Sequence, residues 1–187
     1  MRVEHARCMD HRRFHVITGA SGSGKSTLVA ALSDLGYGAI PEAALAIMKE
    51  QLLSNGEILP SIDRTAFMEA VIARSIQDHE RAHALEGPVF FDRGLPEWLR
   101  FIGANTELAL AAAGRRYAGT IFVTEPWSEV YVCDEYRRHD FERAARSYEP
   151  TISAYVEAGY RTCVVPKVGV GERVRFILGR VEAFSAE

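Results

Sequence analysis

The chain has 187 residues, 48% of them hydrophobic and 25% charged, with a formal net charge of −3 at neutral pH. That length and balance suit one folded domain with a buried core, and they exclude a multidomain machine, a fibrous protein and a disordered chain. There is no broad positive field, so nucleic-acid binding is not expected and any anion site has to be local. Three widely separated cysteines, Cys8, Cys133 and Cys163, include no C-x-x-C pair, which argues against a disulfide framework or a thiolate zinc site. The N-terminal run MRVEHARCMDHRRF lacks an apolar signal core, and no later stretch is long enough to span a bilayer, so a cytoplasmic location is expected.

Residues 1–13 read as a loose tail and 14–187 as a single domain. In chain order the pattern predicts a strand over 14–18, a helix over 25–35, a strand over 37–40, and helices over 43–54 and 63–85. A strand over 89–91, helices over 96–102 and 106–117, and a strand over 120–123 follow. A broken helix over 128–158, a strand over 161–165 and a helix over 172–184 complete the chain. Glycines and prolines punctuate these elements, notably Gly36, Gly87-Pro88, Gly119 and Gly159. The strand runs HVIT, VFF, TIFV and CVV are continuously apolar, as strands covered on both faces are, so the fold class is α/β with a parallel sheet under helices.

Residues 19–26, GASGSGKS, match G-x-x-x-x-G-K-[ST] between the first strand and the first helix. Glycines there let the backbone wrap so that its N–H groups converge on phosphate oxygens, and the helix N-terminus adds partial positive charge. The phosphate-binding set is Gly19, Ser21, Gly22, Ser23, Gly24, Lys25, Ser26 and Thr27. Lys25 is placed to bridge the β- and γ-phosphates of ATP and Ser26 to supply a hydroxyl to Mg²⁺.

The three lysines offer no N-K-x-D match, which disfavours a guanine-specific switch and makes adenine the expected base, held by the loop after the last strand at 166–169. Five strands and their helices use up the chain and leave no room for the lid domain of a hexameric motor. Three further segments fit a small kinase. Glu42 follows the second strand and Asp92-Arg93 ends the third, at the strand edges where open α/β sheets bind ligands. Asp134-Glu135-Tyr136-Arg137-Arg138 lies in an arginine-dense stretch. Phosphoryl transfer needs a cation on the phosphates, a carboxylate to order Mg²⁺, a base for the acceptor and arginines for the transition state.

In GASGSGKST, PEAA at 41–44, FFDRGLP at 90–96 and DEYRR, the chain from 14 to 178 resembles short P-loop proteins described as AAA domain or predicted ATPase. These are akin to the ribosylnicotinamide kinase domain and, more distantly, to nucleoside and thymidylate kinases. The resemblance implies a three-layer P-loop fold with strand order 2-3-1-4-5 and an arginine-bearing lid near 128–147. It makes Glu42 the base, Asp92 the Mg²⁺ organiser with Ser26, and Arg93 a phosphate or substrate clamp, with Arg137 or Arg138 acting from the lid. The PEAA segment lacks the proline that nucleoside kinases place after the acid.

Other readings stay open. Glu42 would also suit a helix cap, Asp92-Arg93 a buried structural ion pair, and Arg137, Arg138, Arg143 and Arg146 a solvated face pairing with Glu135, Glu142 and Glu149. His79-Glu80-Arg81-Ala82-His83 matches the H-E-x-x-H zinc signature. Its histidines, however, continue the face of Met68, Ile72 and Ile76 at helical spacing, so packing is preferred. The expectation is an Mg-ATP-dependent kinase acting on a hydroxyl of a small nucleoside-like metabolite; the alternative is a nucleotide-dependent switch without such an acceptor. The identity of the acceptor and the oligomeric state stay open.

Overall fold

Residues 11–103, 106–131 and 140–185 are described by the computed structural model. Five strands, β1 (Phe14–Gly19), β2 (Gly38–Ile40), β3 (Val89–Asp92), β4 (Thr120–Thr124) and β5 (Arg161–Val164), form one sheet in the order β2-β3-β1-β4-β5. All neighbouring pairs are parallel, with Ile17 of β1 level with Asp92 of β3 and with Phe122 of β4. This is the expected three-layer architecture and strand order. β1, in the middle, is buried at all six positions, which is why its sequence shows no polar alternation.

Side chains two apart along a strand share a face, and the two faces carry separate cores. Phe14, Val16, Phe91, Ile121 and Val123 meet Ile72 of α3 (Arg64–Ala82) and Tyr155 of α7 (Tyr148–Glu157). On the other face Ile17, Phe90 and Phe122 meet Leu28 and Leu32 of α1 (Lys25–Asp34) and Val174, Ile177 and Val181 of α8 (Val170–Ser185). Each fully buried Leu, Ile or Phe here contributes about 1.5–3 kcal/mol. A third cluster packs Ala43, Ala44 and Ile47 of α2 (Ala43–Ser54) on Phe67, Met68 and Val71 of α3.

Several helices are shorter than their sequence patterns. α3 starts one residue after Asp63, whose Oδ1 accepts from Ala66 N at 2.9 Å. It ends at Ala82, where the Arg13 guanidinium donates to the Ala82 and His83 carbonyls. Residues 11–13 therefore form a 3₁₀ turn tied to that helix end, while residues 1–10 of the expected tail lie outside the described residues. The helix expected over 106–117 is only α5 (Glu107–Ala112). Gly114, at φ +82°, turns the chain away and delivers Tyr117 to the core. The segment expected as a broken helix over 128–158 contains a 3₁₀ turn (Ser128–Val130), α6 (Phe141–Arg146) and α7. α6 and α7 are separated at Ser147, and Pro150 is tolerated in the first turn of α7. Among the described residues no helix is long and apolar enough to cross a membrane.

Candidate active site

β1 runs into the P-loop through Gly19, whose φ is +127° and whose added Cβ would collide with the Thr124 carbonyl of β4. Only glycine fits that approach. Gly24, also left-handed, precedes α1 as its N-cap, and the first amides of α1 have no partners within the helix. Lys25 is almost fully buried, and its ammonium donates to the Ala20 carbonyl at 2.6 Å. Burial, helped by the charge of Arg93, lowers its pKa to about 8, against the opposing pull of Asp92, Glu42 and Glu97. Ser23 Oγ donates to the same carbonyl at 2.7 Å and lies 2.6 Å from Thr124 Oγ1, tying the loop to β4.

The end of β3 supplies the next layer. Asp92 is buried, and its Oδ2 accepts from Ser26 Oγ at 2.6 Å while its Oδ1 is buried without a hydrogen-bond partner. Burial and then the nearby Glu42 raise its pKa. Arg93 adopts φ +72°, an uncommon state for a residue other than glycine. Its backbone N–H still extends the ladder to the Ile17 carbonyl at 3.0 Å.

Arg93 sits between two carboxylates: Nε lies 3.2 Å from Glu42 Oε1 and Nη1 lies 3.0 Å from Glu97 Oε2. Burial works against the guanidinium charge, but Glu97 and Glu42 outweigh it and hold Arg93 protonated. Glu97 belongs to α4 (Leu95–Leu99), is 1% exposed, and also accepts from Thr18 Oγ1 at 2.9 Å. Its carboxyl is pushed upward by burial and pulled back by Arg93. Two core tyrosines set the turn: Gly94 N donates to Tyr155 OH at 2.8 Å and Leu95 N to Tyr117 OH at 3.2 Å.

The alternatives left open by the sequence can now be compared with this geometry. Glu42 occupies the N-cap position of α2, but its side chain makes no capping bond and turns to Arg93 instead. The ion pairs of Arg93 are with Glu42 and Glu97. Arg146 pairs loosely with Glu142 at 3.8 Å on the surface, whereas Arg143 lines the cavity described below. Asp134, Glu135, Arg137 and Arg138 lie outside the described residues.

Of the histidines of the H-E-x-x-H match, His79 packs in the core, and the half-buried His83 sets its ring against Phe14. His79 Nε2 donates to the Arg116 carbonyl at 2.9 Å, and its ring meets Phe14 and Tyr117 edge-on. Burial lowers its pKa, in keeping with a neutral ring. Among the described residues no group of three His, Cys, Asp or Glu is arranged to hold a metal ion.

A cavity of about 510 Å³ opens from Lys25, Ser26 and Thr27, passes Glu42, Arg93 and Glu97, and continues between α2, α3 and α4 to Phe67, Trp98 and Phe101. On the opposite flank of the P-loop, residues 166–169 join β5 to α8, and the Gly169 carbonyl accepts from the Glu172 and Arg173 amides at 3.0 Å each. Arg173 is 4% exposed, its Nη2 donates to the Ser23 carbonyl at 3.1 Å, and its guanidinium lies 5.7 Å from the Trp127 ring centroid.

Sequence reasoning missed Thr18, Glu97, Thr124 and Arg173. Glu97 carried a faint signal, four residues after Arg93 at the start of a helix. Arg173 carried none, because its neighbour Ser23 is 150 residues away in the chain.

No curated protein matches the chain. Among solved structures, the NadR protein in complex with NR superposes with a TM-score of 0.69 at 18% identity, covering 94% of this chain and 53% of that one. The chain thus spans about half the length of that NadR protein. Deoxyadenosine kinase from M. mycoides, solved with the products dCMP and a flexible dCDP, gives a TM-score of 0.52 at 16% identity, covering 91% of this chain and 98% of that one. At such identities the likeness is one of fold, the three-layer architecture of P-loop kinases. The model of the AAA domain family matches residues 14–173, so the chain belongs to that family.

Proposed function

We propose that the protein is a P-loop kinase that transfers the γ-phosphoryl group of Mg-ATP to a hydroxyl of a small, nucleoside-like metabolite. The observation that carries this reading is the single cavity lined at one end by the P-loop and at the other by α2, α3 and α4, with Glu42 between them. Its volume is that of a small-molecule site, which a switch reading a protein surface does not need. The fold likeness to a deoxyadenosine kinase supports the same class of chemistry.

In this reading the loop amides and Lys25 hold the phosphates. Ser26 and Asp92 fit a hard divalent cation, since Asp92 keeps one buried oxygen without a partner beside the Ser26 hydroxyl. Bound there, Mg²⁺ would offset phosphate charge. Glu42 takes the acceptor proton as the acceptor oxygen forms its bond to the γ-phosphorus and the bond to the β-phosphate oxygen breaks, releasing ADP. Arg93, oriented by Glu97, sets the Glu42 carboxylate and adds positive charge near the transferring group. Adenine is the expected base, beside the loop at 166–169, and the lid role falls to the segment near 128–147.

Incubating the protein with Mg-ATP and a library of hydroxylated metabolites tests the reading. A phosphorylated product formed in equal amount to ADP is expected. ADP formation that no small acceptor stimulates would move the protein to the switch class.

A further inference from the structure

The cationic side chains of the cavity fall into two groups. Lys25 and Arg93 are at the P-loop end, among Asp92, Glu42 and Glu97. Arg64, Arg100 and Arg143 line the exposed rim, and none of these three is within ion-pair distance of a carboxylate among the described residues. Arg64 and Arg100 form a pair. Their guanidinium carbons lie 5.4 Å and 4.5 Å from the centroid of the same ring, Phe101. Arg64 opens α3, where the helix dipole disfavours a cation. Burial and the charges of Arg93 and Arg64 lower the proton affinity of Arg100 despite the nearby Glu97. Two like charges are thus held beside one aromatic ring at a local cost that Glu97 offsets only in part, with no carboxylate of the described residues in ion-pair distance of either.

The wall between this pair and the P-loop is apolar, formed by Leu45, Met48, Phe67, Met68 and Trp98. All of it follows β2 or β3. The loop at 166–169 and Arg173 follow β5, and they do not line the cavity. The pair therefore faces the acceptor space and not the expected base site.

Resting on the kinase reading above, we propose that the acceptor carries an anionic group, carboxylate or phosphate, which Arg64 and Arg100 clasp at the rim. Its flat apolar body lies against Phe67 and Trp98, and its hydroxyl faces Glu42. Planar guanidinium forks match both kinds of anion, and charge-assisted pairs are about twice as strong as neutral hydrogen bonds.

The test uses the full chain, Mg-ATP and matched aromatic ribosides that differ only in bearing a ring carboxylate, a ring phosphate or a neutral ring carboxamide. At least one anionic member should have a kcat/KM about tenfold to a hundredfold above the carboxamide, and the two anionic members show which group the rim takes. In the Arg64→Gln, Arg100→Gln double variant that preference should vanish through a raised KM for the anionic member. Circular dichroism melts check that the variant, altered only at exposed positions, is folded.

Equal use of neutral and anionic members, or a preference that survives in the double variant, overturns the proposal. If no riboside is phosphorylated, the metabolite-library assay decides the kinase reading separately. Calorimetric titration of the same ribosides then decides the rim assignment: anion binding that depends on Arg64 and Arg100 sustains it, and charge-blind or absent binding ends it.

Discussion

The two flanks of the P-loop are built on different electrostatic plans. Toward β2 and β3 the charges are dense and mutually compensated: Arg93 between Glu42 and Glu97, Asp92 beside Lys25, and Thr18 donating to Glu97. Toward β4 and β5 the loop meets Thr124 and Arg173, and Arg173, beside the Trp127 ring, is buried against a backbone carbonyl with no carboxylate in ion-pair distance among the described residues. A compensated network resists losing any one partner, because the remaining charge is left buried. A single buried guanidinium instead waits for a counter-charge from outside. The β3 flank should therefore govern stability and phosphoryl transfer, and the β5 flank nucleotide binding.

The hardest test of this division is Glu97→Ala. It leaves Arg93 buried beside Glu42 alone and orphans Thr18 Oγ1, so a loss of about 3–5 kcal/mol in stability is expected, read by denaturant unfolding. A near-neutral result would show that the network is not a unit. Glu42→Gln comes next. It removes the proposed base yet keeps the shape, so acceptor phosphorylation should fall by about a hundredfold. Mg-ATP affinity should hold, and the melting temperature should fall less than in Glu97→Ala because Glu97 still pairs with Arg93; a lowered melting temperature with full turnover would leave Glu42 a structural partner of Arg93 only.

Arg173→Met probes the other flank. Mg-ATP should bind about tenfold more weakly by calorimetry, the size expected for one charged hydrogen bond. The melting temperature should be unchanged or higher, since an unpaired buried charge has been replaced by an apolar chain. A change confined to the KM of the acceptor would contradict the division.

The smallest effect is one of pH. If Lys25 holds the nucleotide phosphates as proposed, binding favours its ammonium form, so the bound pKa lies above the value near 8 of the free protein. Affinity for Mg-ATP should be full below about pH 7 and decline above it, by about twofold at pH 8 and about fourfold at pH 8.5 if that pKa alone governs. Lys25→Arg, charged throughout, should flatten the profile.

Much of the site was legible in the chain because its parts are defined over short spans. The P-loop needs left-handed glycines, a lysine and a hydroxyl in fixed order, and those are backbone requirements written within residues 19–26. Glu42 and Asp92 stood out because each directly follows a short apolar strand, and sheet pairing places such positions at one edge. The helix lengths of α3 and α5 were less legible. Apolar periodicity continues past their ends, and Gly114 and the Arg13 guanidinium decide where each chain leaves its helix. The H-E-x-x-H match shows the converse: its spacing was genuine, and packing against Phe14 and Tyr117 gave the first histidine a different use.

What the sequence by itself determined was the α/β class, the glycine loop of the P-loop motif and the strand-end carboxylates, since these depend on periodicity and on backbone conformations that few residues can adopt. Only the tertiary structure decided that Arg93 is shared between Glu42 and Glu97, that Arg173 reaches Ser23, and that Arg64 and Arg100 meet at Phe101. Those contacts join side chains from elements that pack together only after the sheet has formed. Their partners are chosen by burial and by the cost of leaving a charge uncompensated, quantities that no local stretch of sequence contains.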